Sequence, residues 1–221
     1  MARILITSGP TREYLDPVRY LTNGSSGQMG AALAEAAVEL GHAVVVVSGP
    51  VRVSYPPAAK VIPVITTEEM AEACHREFPN CDGLIAAAAP CDFRPVHFSP
   101  SKIRRSGGRL LLELEETPDI VASLAARRKS QWLVAFALET DCPRESAVAK
   151  LHRKGCDLIV LNTPEAIDSA STAVEVLDGT GRVVASYQGP KIEVARRLLL
   201  LFGQLFEGRS PFCQGAEPKP I

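Results

Sequence analysis

The sequence predicts an α/β fold: a Rossmann-like, doubly wound, mainly parallel sheet with helices on both faces and an added β hairpin or flap. Three observations predict it. Short runs of consecutive apolar residues recur along the chain, as in strands covered on both faces. Helix-length segments separate most of these runs, as parallel crossovers require. Glycine and proline turns close several of them.

Residues 3–8 are apolar and stop at Gly9-Pro10, a buried strand and a turn. Residues 30–40 are rich in Ala and Leu, with Glu35 and Glu39 spaced for one exposed face, and read as a helix stopped by Gly41. Strands follow at 43–47, closed by Ser48-Gly49-Pro50, and at 60–64. Residues 67–78 form a helix opened by a threonine cap, and the early Glu68-Glu69 pair suits the helix dipole. Next come a strand at 83–88, a helix at 118–129, a strand at 132–137, a helix at 143–154 and a strand at 157–161. Two segments break the pattern. Residues 109–115 alternate and read as an edge or flap strand, whereas 173–177 and 182–186 flank the hairpin turn Asp178-Gly179-Thr180-Gly181. The last helix spans 191–206. Residues 1–207 are expected to form one nucleotide-binding domain and 208–221 a flexible tail.

The composition narrows the function. With 24 Lys and Arg against 25 Asp and Glu, the net charge is −1, which argues against an obligate nucleic-acid binder. Hydrophobic residues at 46% and charged residues at 22% exclude a disordered chain. No apolar stretch reaches the roughly 18 residues of a membrane span, and Ile4-Leu5-Ile6 is too short for a signal-peptide core, so a cytoplasmic protein with no membrane partner is expected. Cys74, Cys81, Cys91, Cys142, Cys156 and Cys213 form no CxxC pair or zinc spacing and are expected to be buried reduced thiols. His42, His75, His97 and His152 show no metal spacing and are expected at the surface; no protein metal site is expected.

The candidate site begins at residues 21–30. Gly24, Gly27 and Gly30 let a ligand approach the backbone, Ser25 and Ser26 add hydroxyls, and a helix N-terminus follows, which together suit phosphate. A dinucleotide oxidoreductase is one reading. Against it, about 15 residues separate the first strand from this loop, and no acidic residue ends the second strand. A glycine turn without a ligand is another. Ligands of open α/β sheets bind outside the carboxyl ends of strands, where Asp92, Glu139-Thr140-Asp141 and Asn162 fall. Asp92 suits ribose hydroxyls or a turn cap. The basic run from Lys102 to Arg105, ending in Gly107-Gly108, reads as a solvated loop or a flap over phosphates. Lys150 and Lys154 share a helix face.

The ordered motifs ILITSGPTREYLDPVRYLTNGSSGQMG, SGP, CDFRP, SKIRRSGG, ETPDIVASLA, LVAFALET and KLHRKGCDLIVLN resemble those of phosphopantothenate–cysteine ligases, over roughly residues 3 to 200. The resemblance implies a ligase that joins cysteine to 4′-phosphopantothenate through an acyl-nucleotide, using CTP in preference to ATP, with Mg2+ carried on the triphosphate and no flavin. It implies that Asn23 polarises the acyl carbonyl, Lys102 neutralises phosphate charge from the flap, and Asp92 holds the ribose. It places Ala86, Phe136, Pro118, Asp119, Ile120, Val121, Lys150 and Lys154 at nucleotide contacts. It further implies a homodimer, a free-standing or excised synthetase, and a separate decarboxylase as a partner. The chain departs from the family pattern at Gln28, where lysine is usual, at Pro90-Cys91, and at Arg104 and Arg105, which replace lysines. A non-catalytic nucleotide-binding module is the remaining alternative.

Overall fold

The structure, a computed structural model, describes residues 1–138, 143–162 and 170–208. Glu139-Thr140-Asp141, Cys142, Cys213 and the expected tail beyond Gly208 lie outside the described residues.

In chain order the elements are β1 (Arg3–Ser8), β2 (Arg12–Tyr14), β3 (Tyr20–Thr22), α1 (Gln28–Glu39), β4 (Ala43–Ser48), β5 (Lys60–Pro63), α2 (Thr67–Glu77), β6 (Gly83–Ala86), β7 (Phe93–Pro95), β8 (Leu114–Glu116), α3 (Ile120–Ala125), β9 (Trp132–Leu138), α4 (Pro143–Lys154), β10 (Leu158–Asn162), β11 (Ser171–Asp178), β12 (Val183–Pro190) and α5 (Lys191–Leu205). The main sheet has the order β12-β11-β10-β9-β6-β1-β4-β5. Neighbours from β10 to β5 are parallel; β11 and β12 add an antiparallel edge. The chain winds outward from β1 to β5, returns, and winds the other way from β6 to β10. The strands therefore part at the carboxyl ends of β1 and β6, where such sheets open a crevice.

Both faces of the sheet are covered, which explains the uniformly apolar strands. Leu5, Leu84, Leu133 and Ile159 pack with Met70, Leu124 and Leu151 of α2, α3 and α4. Ile4, Ile6, Ile85, Val134 and Val160 pack with Leu33, Leu198 and Phe202 of α1 and α5. The period-2 alternation of a strand is present, but both of its faces are apolar. Trp132 stacks on Phe206, with ring centroids 5.1 Å apart, and holds the end of the C-terminal helix. The threonine cap of α2 is Thr66, whose hydroxyl accepts from the Glu69 amide at 3.1 Å, while Glu69 accepts from the Thr66 amide in a reciprocal box.

Several expectations need correction. The helix expected at 118–129 is only Ile120–Ala125: Asp119 caps its start by accepting from the Ala122 amide, and past its end Arg128 bonds Asp157 at 2.7 Å. Of 109–115, only Leu114 and Glu115 lie in a strand, β8 (Leu114–Glu116), which pairs with β7. After one more bond, from the Val96 amide to Glu113, the partner segment leaves toward Leu15, and among the described residues no strand pairs with 109–112. The strand expected at 83–88 ends at Ala86. The β2–β3 hairpin was not anticipated, and it fills the long gap between β1 and α1. His42 and His75 are half-buried rather than at the surface. The His42 Nδ1 accepts from the Ala2 amide, the His75 Nε2 bonds Ser123, and burial lowers both pKa values. Cys74, Cys81, Cys91 and Cys156 are buried free thiols, as expected.

Gly83 marks where β6 meets Trp132: a Cβ there would come within 2.1 Å of the indole. Gly83→Ala is expected to cost about 1–3 kcal/mol by overpacking. Gly108→Ala, where an added Cβ meets nothing within 4 Å, is expected to change stability by under about 0.5 kcal/mol. Urea unfolding of both variants checks this; equal midpoints would contradict the packing account.

Candidate functional site

A cavity of about 950 Å³ opens at the carboxyl ends of β1, β6, β9 and β10. Asn23, Gly24, Ser25, Ser26 and Gly27 form one wall. Ala86 and Phe136 lie on the strand side, Asp92 on the loop after β6, and Pro118, Asp119, Ile120 and Val121 at the start of α3. Lys150 and Lys154 reach it from α4, and Asn162 from the end of β10. Lys102 is the exception: it is exposed and does not line the cavity.

The glycine loop is held from behind. Gly27 adopts a left-handed conformation, φ 76°, as the residue preceding α1. An added Cβ at Gly30 would lie 2.1 Å from the Ser8 hydroxyl, so α1 presses directly on the end of β1. Ser8 donates to the Gly27 carbonyl at 3.3 Å, Tyr55 donates to Ser8 at 2.9 Å, and Ser48 bonds Tyr55 at 2.8 Å. No side chain caps α1 and no acidic residue sits in its first turn. Its positive end thus faces the cavity, a setting suited to an anion.

The Asn23 amide nitrogen donates to the Ala89 carbonyl at 3.2 Å and the Pro90 carbonyl at 2.9 Å. Both partners are pure acceptors, so the nitrogen faces them and the side chain is held rigidly. Beneath this contact, the Cys91 amide donates to the Thr11 hydroxyl at 2.8 Å, and the Thr67 hydroxyl donates to the Cys91 carbonyl at 3.3 Å. The Thr67 proton is thereby used, so Thr11 donates across the 2.8 Å contact between the two hydroxyls. Burial pushes the Cys91 thiol up, so it stays protonated and is a poor nucleophile. Arg94, next to this loop, clamps Glu115 at 2.8 Å and Glu68 at 3.1 Å.

Lys154 bonds both oxygens of Asp119 at 2.8 Å. Burial pushes the Asp119 carboxyl up, but the Lys154 bond, the Ala122 amide and the charges of Lys154 and Arg153 bring it below the ordinary aspartate value. Lys154 is therefore committed to the start of α3, a role that helical spacing did not reveal. The spacing also missed Lys191, which is 8% exposed, lines the cavity and donates to Gln28 at 3.3 Å. A cation in the first turn of a helix opposes the dipole, and that anomaly was the available signal. Arg153, Glu116 and Thr117 are further polar lining residues that sequence reasoning missed.

A family model for the DNA/pantothenate metabolism flavoprotein C-terminal domain matches residues 1–204. The chain belongs to this family. Among curated proteins similar to this family member, the coenzyme A biosynthesis bifunctional protein CoaBC of Bacillus subtilis (strain 168) is 44% identical over 164 residues, 74% of this chain and 40% of that protein. A cysteine/cysteine sulfinic acid decarboxylase of an unknown prokaryotic organism is 46% identical over 165 residues, 73% of this chain and 45% of that protein. The chain thus spans less than half the length of these relatives. A crystal structure of the C-terminal domain of CoaBC covers 93% of this chain and 95% of its own, with 38% identity and a TM-score of 0.78. That match is to the described architecture of parallel sheet, flanking helices and edge hairpin.

Because the folded carboxylate of Asp119 has a lowered pKa, its contribution to stability is full above the ordinary aspartate range and is lost as the pH falls through the lowered value. Asp119→Ala is expected to cost about 1 kcal/mol at pH 7, the cost of losing a helix cap. The gap between variant and parent should close in acid. Urea unfolding across that range checks this; a gap that widened in acid would reverse the sign.

Proposed function

We propose that this chain ligates cysteine to 4′-phosphopantothenate at the expense of a nucleoside triphosphate, CTP in preference to ATP, in coenzyme A biosynthesis. The observation that carries the reading is that a rigid asparagine amide, an uncapped helix N-terminus and the lysines of α4 and α5 line one cavity at the sheet's switch point. The full set of activities of CoaBC belongs to longer proteins, of which the matched residues make up 40%, so only this step is assigned here.

In this reading a carboxylate oxygen of phosphopantothenate attacks the α-phosphorus, the bond from that phosphorus to its bridging oxygen breaks, and pyrophosphate leaves. The cysteine amine then adds to the acyl carbon, the nucleoside monophosphate departs, and the amine proton passes to water. The loop at Asn23–Gly27 cradles phosphate. Asn23 exchanges one of its bonds, to Ala89 or Pro90, for one to the acyl oxygen; being held by carbonyls keeps the amide oriented beforehand, as oxyanion donors must be. Asp92 holds the ribose. Ala86, Phe136 and the 118–121 segment border the base and sugar. Lys150 and Lys191 supply positive charge deep in the cavity, and Lys191 does so beside Gln28, where a lysine of the family pattern is missing. Lys102 is carried on the arm between β7 and β8, residues 96–113, and in this reading acts on phosphate that extends past the cavity wall.

Among the described residues, no group of three or more His, Cys, Asp or Glu is placed to hold a metal ion. Magnesium in this reading rides on the triphosphate and neutralises its charge, with Asp92 and Glu116 as the wall carboxylates besides Asp119, which Lys154 holds. No flavin enters the step. The cytoplasm is the proposed location; among the described residues no helix is long and apolar enough to cross a membrane. A partner decarboxylase would consume the product.

Phe93, Phe98, Leu110, Leu111 and Leu114 are exposed around β7, β8 and the arm, with Leu111 89% exposed. An apolar surface of this kind supports a homodimer through that edge. Sedimentation of the intact chain is expected to show a dimer at micromolar concentration, and a monomer would remove this part.

Pyrophosphate release is expected only when 4′-phosphopantothenate and CTP or ATP are both present. Asn23→Ala should leave nucleotide affinity within a few-fold and slow turnover by on the order of a hundredfold, the range for one oxyanion donor. Lys102→Ala should weaken both. Nucleotide binding without any pyrophosphate release would leave a binding module instead.

A further inference from the structure

Asp16 is a buried carboxylate that the proposed chemistry does not use. It is 0% exposed, at the turn between β2 and β3. The Val18 and Arg19 amides donate to its Oδ1 at 2.8 Å each. Its Oδ2 accepts from the Ile103 amide at 3.1 Å and pairs with the Arg19 guanidinium at 3.0 Å. The same guanidinium donates to the Ile103 carbonyl. Four residues earlier, the Ser99 amide donates to the Leu15 carbonyl at 2.9 Å.

A buried carboxylate is tolerated only when its oxygens are well satisfied. Two backbone amides and the Arg19 guanidinium come from its own turn, and a third amide comes from across a separation of 87 residues. Burial pushes the carboxyl up, but the three amides and Arg19 bring it below the ordinary aspartate value, so it is charged at neutral pH. Bonds to a charged acceptor are the stronger kind. Lys102 therefore lies between two anchor points, Ser99 on Leu15 and Ile103 on Asp16. From Arg19, the three residues of β3 lead directly to Asn23.

We propose that Asp16 is a positioning residue: it clasps the arm at Ile103 onto the hairpin that ends at Asn23, so that Lys102 is presented on a pinned span rather than on a loose loop. The kinetic consequence rests on the ligase reading above; the clasp itself does not.

Limited trypsinolysis of the intact chain tests this, scored at the bond after Arg105. Ile103→Pro removes the amide that Asp16 accepts and leaves the core untouched; Asp16→Asn removes the charge. Both are expected to be cut about tenfold faster than the parent, the scale of one lost bond to a charged group. In the pyrophosphate-release assay, Ile103→Pro should raise the nucleotide KM more than it lowers kcat, with the phosphopantothenate KM unchanged. If Asp16→Asn does not fold, Ile103→Pro decides alone. Unchanged cleavage in Ile103→Pro overturns the clasp. Faster cleavage with unaltered KM and kcat overturns the positioning role and leaves a purely structural contact. A parent chain that releases no pyrophosphate defeats the ligase reading, while the cleavage result still decides the clasp.

Discussion

A closed circuit of hydrogen bonds joins Thr11, Thr67 and Cys91: Cys91 amide to Thr11, Thr11 to Thr67, Thr67 to the Cys91 carbonyl. The circuit ties together the loop after β1, the start of α2 and the loop after β6, alongside the Ala89–Gly9 and Arg12–Ile65 backbone bonds. Glu13 adds to it by accepting from the Thr67 amide at 2.7 Å, and Thr117 donates to the same Cys91 carbonyl at 2.6 Å. Thr11 and Thr67 are almost wholly buried, so breaking one link strands the other polar groups away from water. Thr22, Asn23 and the loop before Asp92 are tied to these segments, while Ser8, Tyr55 and Ser48 brace the glycine loop. Thr22 hangs on the Thr11 carbonyl at 2.7 Å, and Asn23 on Ala89 and Pro90.

The cavity above the circuit sets cations against acids in an ordered way. Lys154 is held by Asp119, which anchors the N-terminus of α3. Lys191 reaches the glycine loop from the opposite side of the sheet's end. The α1 N-terminus, beside Lys191, has no acidic residue in its first turn to compete for its amides. The wall therefore carries Lys150, Lys154 and Lys191 as well as the carboxylates Asp92, Glu116 and Asp119. Asn23 is the neutral donor of this set, and its two carbonyl partners hold it in place without adding charge.

Much of the site was legible before folding because it is local. The small residues of 22–30 precede a helix, and Lys150 and Lys154 share one turn of another, so near neighbours along the chain already converge. Lys102 shows the limit of that logic. Its motif was legible, but its anchor is Asp16, on another hairpin. Ser8, Ser48 and Tyr55, which brace the glycine loop, come from three separate segments and carry no joint pattern. The strand expected at 109–115 was shortened for a similar reason: alternation shows that a segment can pair, while pairing requires a partner of equal length.

By itself the sequence determined which segments would be strands covered on both faces and which would be helices, because apolar periodicity follows from side-chain geometry at short range. It also determined the family, through motifs in a fixed order. Only the tertiary structure decided that Lys154 belongs to Asp119, that Lys191 enters the cavity, and that Asp16 holds the arm. Those are contacts between distant residues, and a hydrogen bond or ion pair forms only where the packed sheet and helices bring donor and acceptor within about 3 Å of each other.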